Sequence, residues 1–188
     1  MVAKKSGAEI LNNKIRLGYS KSLEKGIFKA KSLGFSHIIS LDADGELSPL
    51  HIKKFLKLFK KHKIIFGIRK KKARFAEYLI SHYFKKRFGV KDITCGMKGL
   101  DLSLIVHKKI KIIDSNLGLS IFNYLLRKKK SFSQCMVSGK KRIDQPRYGT
   151  AFISNLKIIF TMLRFIFENH FKNMRFKRFV LNFSLLFS

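Results

Sequence analysis

The stretch HIISLDADGEL, residues 37–47, decides how this chain folds. Its first half is an apolar, β-branched run of the length expected for a buried strand. Its second half carries three carboxylates, Asp42, Asp44 and Glu46, where that strand ends, and open α/β sheets bind ligands at such places. Because residues two apart point to one side of an extended segment, the three carboxylates are predicted to converge on one cation.

Oxygen ligands of this kind suit Mg²⁺ or Mn²⁺, which proteins hold with one or two carboxylates while substrate phosphates and water complete the shell. Such an ion would neutralise the charge that develops on a departing nucleotide diphosphate. The alternative is a plain surface turn, since Asp and Gly are favoured in turns. The choice between the two depends on the surrounding sequence.

Helices and strands alternate around this stretch. A helix is predicted over residues 20–33, ending before Gly34. Ser48 and Pro49 predict the start of another helix, and a strand follows at residues 64–67. The apolar faces of the two helices are Leu23, Ile27, Ala30 and Leu33 in the first and Ile52, Phe55, Leu56 and Phe59 in the second. This order predicts an α/β fold with a mainly parallel sheet flanked by helices.

The second half of the chain is less regular. A basic helix is predicted over residues 73–87, with Phe75, Leu79, Tyr83 and Phe84 toward the core. Further helices are predicted over residues 101–106 and 117–126, and strands over residues 110–113 and 132–137. A last amphipathic helix carries Phe152, Leu156, Ile159, Phe160, Leu163 and Phe167 on one face, with Asn155, Lys157, Arg164 and Asn169 elsewhere. We expect one domain over residues 1–150 and a helical tail over residues 151–188.

Charge is the strongest bulk feature, since 41 Lys and Arg against 11 Asp and Glu give +30. A chain this basic is attracted to nucleic acid, anionic lipid or phosphorylated substrates. The two cysteines, Cys95 and Cys135, are too few for a disulfide framework, and the first 30 residues lack the apolar core of a signal peptide. We therefore expect a cytoplasmic chain with reduced thiols.

The sequence predicts peripheral rather than spanning membrane contact. The most apolar segment, residues 151–167, is interrupted by Lys157 and Arg164 and falls short of a window of about 18 apolar residues. The last helix and its basic tail have the apolar face and Lys/Arg flanks of a helix lying in the plane of an anionic membrane surface. The alternative is that this helix packs on the sheet.

Five short motifs resemble, in order, the inverting GT-A glycosyltransferases of the dolichyl-phosphate mannose synthase and polyprenyl-phosphate sugar transferase type. They are NKIRLGYS at residues 13–20 with Gly26 and Ala30 downstream, HIISLDADGELSP at residues 37–49, FGIR at residues 66–69, DITCGMK at residues 92–98 and RIDQPRYG at residues 142–149. Each alone is weak, but five in this order are specific. The resemblance implies a partial GT-A, Rossmann-like fold that transfers a sugar from a nucleotide-sugar donor to a lipid-phosphate or cell-envelope glycan acceptor.

The resemblance also implies a role for each matching residue. The metal ligands would be Asp42, Asp44 and Glu46, the diphosphate or acceptor phosphate would be bound by Arg69, Arg142 and Arg147, and the acceptor region would hold Thr94, Gly96 and Lys98. Asp92 is the candidate catalytic residue, although a lipid phosphate is already ionised and needs no general base. The alternatives are that Arg69 is a surface arginine, that Asp92 is a cap, and that the arginines of residues 142–147 are part of the positive surface.

One departure from the family pattern concerns the start of the chain. Family members open with a strand that carries a P-x-x-N-E type segment and continue through a second strand, which together bind the nucleotide base, and residues 1–11 are too few for both. We therefore expect a truncated reading frame, a degenerate relative, or a chain completed by a complementing N-terminal fragment. Activity of this chain alone is expected to be weak or absent.

The alternative function is a basic nucleic-acid-binding protein without catalytic activity. The charge of +30 and 19 phenylalanines supply phosphate attraction and stacking surfaces. The phenylalanines fall mainly at core-facing helical spacings, however, and the sequence has no RNP, KH or zinc-finger pattern. The glycosyltransferase interpretation is therefore preferred.

Overall fold

The computed structural model describes residues 2–15, 17–105, 130–138 and 151–170. Four strands in these ranges form one sheet in the order β1-β3-β2-β4. They are β1 His37–Ser40, β2 Ile64–Arg69, β3 Lys98–Asp101 and β4 Ser133–Val137. β2 and β4 pair in parallel, whereas β3 lies antiparallel between β1 and β2. The predicted α/β fold is confirmed, with three strands in one direction and one antiparallel strand among them.

Helices lie on both faces of the sheet. The described helices are α1 Val2–Lys5, α2 Gly18–Ser32, α3 Ile52–Phe59, α4 Phe75–Phe88 and α5 Ala151–His170, with 3₁₀ turns at Pro49–His51 and Leu102–Leu104. Along β2, Ile64 and Phe66 belong to the core cluster shared with α2, α4 and α5, while Ile65 belongs to the cluster shared with α3. The alternation follows from the two-residue period of a strand, and it fixes which helix covers which face.

The helices that flank the acidic stretch begin and end close to the predicted residues. α2 ends at Ser32, and Gly34 follows with a φ of 82°, a left-handed conformation that glycine adopts without strain. The Ser48 hydroxyl accepts a hydrogen bond from the Leu50 backbone N–H at 3.3 Å and so caps the turn that leads into α3. This confirms the start predicted at Ser48 and Pro49.

The predicted apolar faces of α2 and α3 are wrong at one position each. Leu33 lies beyond the last residue of α2 and is 50% exposed, and Leu56 is 56% exposed. Leu58 packs against the core beside Phe55 instead of Leu56. The apolar spacing therefore predicts which side of each helix is buried, but it wrongly includes residues at the margin of that side.

Strand β3 is the element that the sequence does not predict. The helix predicted over residues 101–106 is wrong, because β3 ends at Asp101, which accepts a hydrogen bond from the Ser103 backbone N–H at 2.8 Å to start a 3₁₀ turn. The strand KGLD contains no β-branched or aromatic residue that would indicate it. Its glycine is required by close contact, since a Cβ on Gly99 would lie 2.7 Å from Phe59 Cζ. Tertiary pairing, rather than propensity, forms this strand.

Helix α4 turns a different face to the core than predicted. Phe75 and Leu79 are 68% and 40% exposed, whereas Phe84 is buried as predicted and Tyr83 packs partly against the core. The buried residues of the helix are Ala76, Glu77, Ile80, Ser81 and Phe84. Glu77 is among them because it pairs with Arg69 and Arg74, and an apolar pattern gives no weight to such a buried carboxylate.

Helix α5 packs against the core cluster through Ile158, Met162 and Ile166. Of the apolar face predicted for this helix, Phe152, Phe160 and Leu163 are 73%, 42% and 41% exposed. The helix is apolar on more than one side, so its pattern could not select the buried side. No helix in the described ranges is both long and apolar enough to cross a membrane. Predictions for residues 106–129, 139–150 and 171–188 lie outside the described residues.

Candidate functional site

The carboxyl ends of β1, β2 and β4 lie at one edge of the sheet, together with the amino end of the antiparallel β3. We call this the ligand edge. It collects the residues that follow Ser40, Arg69 and Val137 and those that precede Lys98. Within the described part of the chain, all of the predicted site residues lie on or next to this edge.

The acidic residues leave the ligand edge on a turn rather than on an extended segment. The chain turns at residues 43–44, Gly45 has a φ of 75°, and Asp44 Oδ1 accepts a hydrogen bond from the Glu46 backbone N–H at 3.0 Å. The two-residue alternation behind the predicted convergence does not apply to a turn. In the part of the chain that the structure describes, no three His, Cys, Asp or Glu side chains are grouped to hold a metal ion. The predicted convergence of Asp42, Asp44 and Glu46 on one cation is therefore not seen among the described residues.

Asp42 lies against residues 92–98, which we call the acceptor segment after the role that the resemblance implies for it. A Cβ on Gly96 would lie 2.0 Å from Asp42 Oδ2, so the half-buried carboxylate sits directly on the Gly96 backbone. Ser40 Oγ donates a hydrogen bond to the Gly96 carbonyl at 2.7 Å and accepts one from the Lys98 backbone N–H at 3.2 Å. The acidic turn and the acceptor segment are thus fixed to the same strand end.

Arg69, the last residue of β2, fixes the other end of the acceptor segment through Asp92. The guanidinium donates from Nε to Asp92 Oδ2 at 2.9 Å and from Nη2 to Oδ1 at 3.1 Å, and the Arg69 backbone N–H adds a bond of 3.1 Å to Oδ2. Thr94 Oγ1 accepts from Nη2 at 2.7 Å and donates to Asp92 Oδ1 at 3.0 Å. Burial raises the pKa of the Asp92 carboxyl, but the Arg69 hydrogen bonds and charge outweigh it and hold this pKa below its usual range.

The ion pair extends into α4. Arg69 Nη2 lies 3.2 Å from Glu77 Oε2, an ion contact without hydrogen-bond geometry, and Arg74 Nη1 donates to Glu77 Oε1 at 3.0 Å. The side chains of Arg69, Asp92 and Glu77 are 10%, 0% and 6% exposed. Two arginines and two carboxylates therefore form a cluster without formal net charge.

This arrangement changes the roles expected of Arg69 and Asp92. Asp92 is closed to solvent and both of its oxygens are hydrogen-bonded, so the geometry supports an anchor for the acceptor segment rather than a contact with substrate. Burial alone would lower the pKa of the Arg69 guanidinium, but the hydrogen bond and charge of Asp92 raise it above its usual range. The guanidinium remains charged and committed to its carboxylate partners.

Lys98 begins β3 with its side chain turned inward and 8% exposed. Its ammonium donates a hydrogen bond to the Cys95 carbonyl. Burial lowers the pKa of Lys98, while the negative charges of Asp92 and Asp42 oppose that change. Burial likewise raises the pKa of the Cys95 thiol. The predicted acceptor residues Thr94, Gly96 and Lys98 therefore hold the shape of the segment through their own contacts.

His51 and Ser138, for which the sequence predicted no role, join β4 to the start of α3. His51 Nε2 lies 2.8 Å from both the backbone nitrogen and the carbonyl oxygen of Ser138, and the Ser48 backbone N–H donates to the same carbonyl at 3.3 Å. A lone histidine carries no sequence pattern that would indicate this contact. Arg142 and Arg147 follow Ser138 in the sequence and lie outside the described residues.

Comparisons with known proteins agree with this architecture. The family model described as glycosyl transferase family 2 matches residues 1–105 of the 188. Glucosyl-3-phosphoglycerate synthase from Mycobacterium tuberculosis in complex with phosphoglyceric acid matches with a TM-score of 0.63 at 12% identity, over 86% of this chain and 62% of that chain. The same enzyme in complex with Mn²⁺, UDP-glucose and phosphoglyceric acid matches with a TM-score of 0.63 at 11% identity and the same coverage.

At these identities the structural likeness concerns the fold. This chain spans 62% of the length of the enzyme it matches. No curated protein sequence matches it.

Proposed function

Because the chain belongs to glycosyl transferase family 2, we propose that it transfers a sugar from a nucleotide-sugar donor to a lipid-phosphate or cell-envelope glycan acceptor, with inversion of the anomeric carbon. The observation that carries this proposal is the contact between the acidic turn at the end of β1 and the acceptor segment at Gly96. Carboxylates for the donor side and a fixed segment for the acceptor side share one sheet edge, which is what a two-substrate reaction needs.

The acidic turn fits a divalent cation by the chemistry of its donors. Asp42 and Asp44 offer half-buried carboxylate oxygens on one turn, and Mg²⁺ or Mn²⁺ needs only one or two carboxylates when substrate phosphates and water complete its shell. Glu46 is the third candidate ligand, but not through the convergence of all three carboxylates that the sequence predicted. The cation, when bound, supplies a Lewis acid for the charge of the departing nucleoside diphosphate. The matched enzyme's complex with Mn²⁺ and UDP-glucose supports this assignment.

The phosphate-binding cations of the proposal are Arg142 and Arg147. In the sequence they follow Ser138, the residue after β4, which is hydrogen-bonded to His51. Arg69 belongs to a neutral cluster, and we propose that its main task is to hold the acceptor segment through Asp92. Asp92 is then a positioning residue, in keeping with an acceptor phosphate that needs no general base.

We propose that the acceptor site lies beside Thr94, Gly96 and Lys98. Gly96 matters for its missing side chain, because anything larger would displace the Asp42 carboxylate. The ammonium of Lys98 lies under the segment and donates a hydrogen bond to the Cys95 carbonyl. The net charge of +30 would attract an anionic acceptor.

The net charge of +30 supports a proposed location at the cytoplasmic face of an anionic membrane. A lipid-phosphate acceptor resides on such a surface, so the location and the acceptor class support each other. Nucleic acid remains the alternative ligand for the same charge. Nucleic-acid binding does not require the acidic turn, so substitutions in that turn distinguish sugar transfer from nucleic-acid binding.

The test is Mn²⁺-dependent sugar transfer by the purified chain, measured as nucleoside diphosphate released from a panel of nucleotide sugars in the presence of polyprenyl phosphate in vesicles. A second arm adds the N-terminal segment of a family member in trans, to test whether such a fragment complements this chain. Asp44→Asn should reduce release to background. Glu9→Gln removes the same charge from an exposed ion pair with Lys29 and should not change release. Release that is independent of Mn²⁺ and of Asp44 in both arms would refute the proposal.

A further inference from the structure

Helix α4 carries an apolar patch on its exposed side. Phe75, Tyr78 and Leu79 are 68%, 48% and 40% exposed, and their spacings of three and four residues place them on one side of the helix. Single exposed apolar residues are common, but neighbouring ones that include two aromatic rings indicate a contact surface. We call these three residues the α4 patch.

Lysines flank the α4 patch at both ends. Lys70 and Lys71 precede it and Lys85 and Lys86 follow it on the same helix, all exposed. Lys72 joins the basic segment to the patch, because its backbone N–H donates to Tyr78 Oη at 3.1 Å and its ammonium lies 5.1 Å from the Tyr78 ring centroid. An apolar centre with lysines around it matches a bilayer interface, where rings enter the headgroup region and ammonium groups contact lipid phosphates.

The first turn of α5 extends this surface. Asn155 Oδ1 accepts a hydrogen bond from the Ala76 backbone N–H at 3.0 Å, directly beside Phe75. Phe152 and Ile153 lie within one turn of Asn155 and are 73% and 43% exposed. The exposed apolar side chains of α4 and α5 therefore lie at the same end of the helix pair.

The α4 patch is also fixed to the ligand edge. Arg69 at the end of β2 contacts Glu77, in the first turn of α4, with 3.2 Å between Nη2 and Oε2, and Arg74 Nη1 donates to the same carboxylate. These side chains are nearly buried, so the start of α4 cannot move independently of the strand end. A surface that covers the α4 patch consequently lies beside the candidate site.

We propose that the α4 patch, together with Phe152 and Ile153, docks the chain on an anionic phospholipid bilayer. This deepens the proposed function, on which it rests for its purpose, since docking here would bring the ligand edge to lipid-borne phosphate acceptors. RNA would be attracted by the same lysines, but the aliphatic Leu79 offers no ring for a base to stack on. The combination of aromatic, aliphatic and lysine side chains favours the bilayer.

The test uses substitutions that leave the net charge unchanged, because a charge of +30 alone attracts many polyanions. The patch variant is Phe75→Ser with Leu79→Ser. The matched control is Leu50→Ser with Leu56→Ser, which removes two leucines that are 76% and 56% exposed on the layer of α3, across the sheet from α4. Circular dichroism would verify that both variants of the full chain fold.

Co-sedimentation is measured with vesicles of phosphatidylcholine alone and of phosphatidylcholine with phosphatidylglycerol. The parent and the control should bind the mixed vesicles equally, and the patch variant should bind about tenfold or more weakly, because it loses the burial of two large apolar side chains. Equal binding by the patch variant and the parent would overturn the proposal. The proposal would also be overturned if the parent did not bind the vesicles and bound an RNA oligonucleotide instead.

Asp44→Asn separates this inference from the proposed function. It should bind the mixed vesicles as the parent does, since the acidic turn is not part of the α4 patch. Patch-dependent vesicle binding without sugar transfer in any arm would support docking while refuting the proposed function. Sugar transfer together with vesicle binding that the patch substitutions do not change would refute the docking proposal and leave the proposed function intact.

Discussion

The Asp42 carboxylate rests on the Gly96 backbone, so closely that a Cβ at position 96 would lie 2.0 Å from Asp42 Oδ2. This contact joins the acidic turn, which we propose for the donor side, to the segment that we propose for the acceptor side. It also explains why a glycine stands in the acceptor segment: the space that a side chain would occupy is already filled by the carboxylate that we assign to the cation.

Gly96→Ala should therefore displace Asp42 and weaken Mn²⁺ binding by about tenfold or more, the loss typical of a disturbed ligand environment. Gly26→Ala is the matched control, because Gly26 lies in helix α2 with nothing within 4 Å of the added methyl group. Mn²⁺ affinity of the two variants, measured by paramagnetic resonance, gives the comparison. Equal affinities would mean that the Asp42 position does not matter for the cation.

The buried ion pair between Arg69 and Asp92 should matter more for stability than an exposed one. Arg69→Met leaves the Asp92 carboxylate buried without its partner, a change that typically costs about 3–5 kcal/mol. Lys63→Met removes the cation of the pair with Asp101, in which Lys63 is 59% exposed, and pairs of that kind contribute about 1 kcal/mol or less. Urea unfolding of both variants measures the difference, and similar small losses would show that the cluster is not a structural anchor.

Stability should fall in acid through the protonation of Asp92. Because the folded-state pKa of Asp92 is below its usual value, the native state binds fewer protons than the unfolded chain, and this carboxylate stabilises the fold at neutral pH. The contribution is complete above the unfolded pKa of about 4 and is lost as the pH falls through the lower folded pKa. The stability difference between the parent and Asp92→Asn should therefore narrow below about pH 4. A difference that stays constant down to pH 3 would contradict this assignment.

Asn155 should stabilise the start of α4 from outside that helix. Its side chain accepts from the Ala76 backbone N–H, one of the donors that a helix start leaves without an intrahelical partner. Asn155→Ala should cost about 1 kcal/mol, as the loss of a helix cap does, and Asn155→Asp should retain most of the stability because it keeps an acceptor oxygen. Asn12→Ala, at an exposed position, is the control. Equal thermal midpoints for all variants would contradict the capping role.

The sequence predicted the parts of the fold that depend on local patterns. The run of residues 37–41, the cap at Ser48 and the glycine at position 34 indicate their elements directly, and each element lies at the expected residues. The prediction that the first of these strands is buried is wrong, because β1 is the end strand of the described sheet and its residues are partly or fully exposed. Strand β3 has no such pattern: Lys98-Gly99-Leu100-Asp101 becomes a strand because β1 and β2 pair with it on both sides. No local rule contains that information.

Long-range contacts also explain why the candidate site was only partly predictable. The carboxylates at the end of β1 follow from the strand itself, but the turn at residues 43–44 depends on Gly45 and on the Asp44 side chain. The buried side of α4 includes Glu77, which pairs with an arginine eight residues earlier in the chain. Apolar periodicity favoured Phe75 for the core because it gives no weight to a buried carboxylate.

The central claim is that Asp42 and Asp44 bind a divalent cation at the ligand edge. Its most direct test is a titration of the full chain with Mn²⁺ in the presence of a nucleoside diphosphate, followed by paramagnetic resonance, for the parent, Asp42→Asn, Asp44→Asn and the exposed control Glu9→Gln. The account predicts one saturable site in the parent and in Glu9→Gln and its loss in both aspartate variants. Mn²⁺ binding that is unchanged in Asp42→Asn and Asp44→Asn would contradict it.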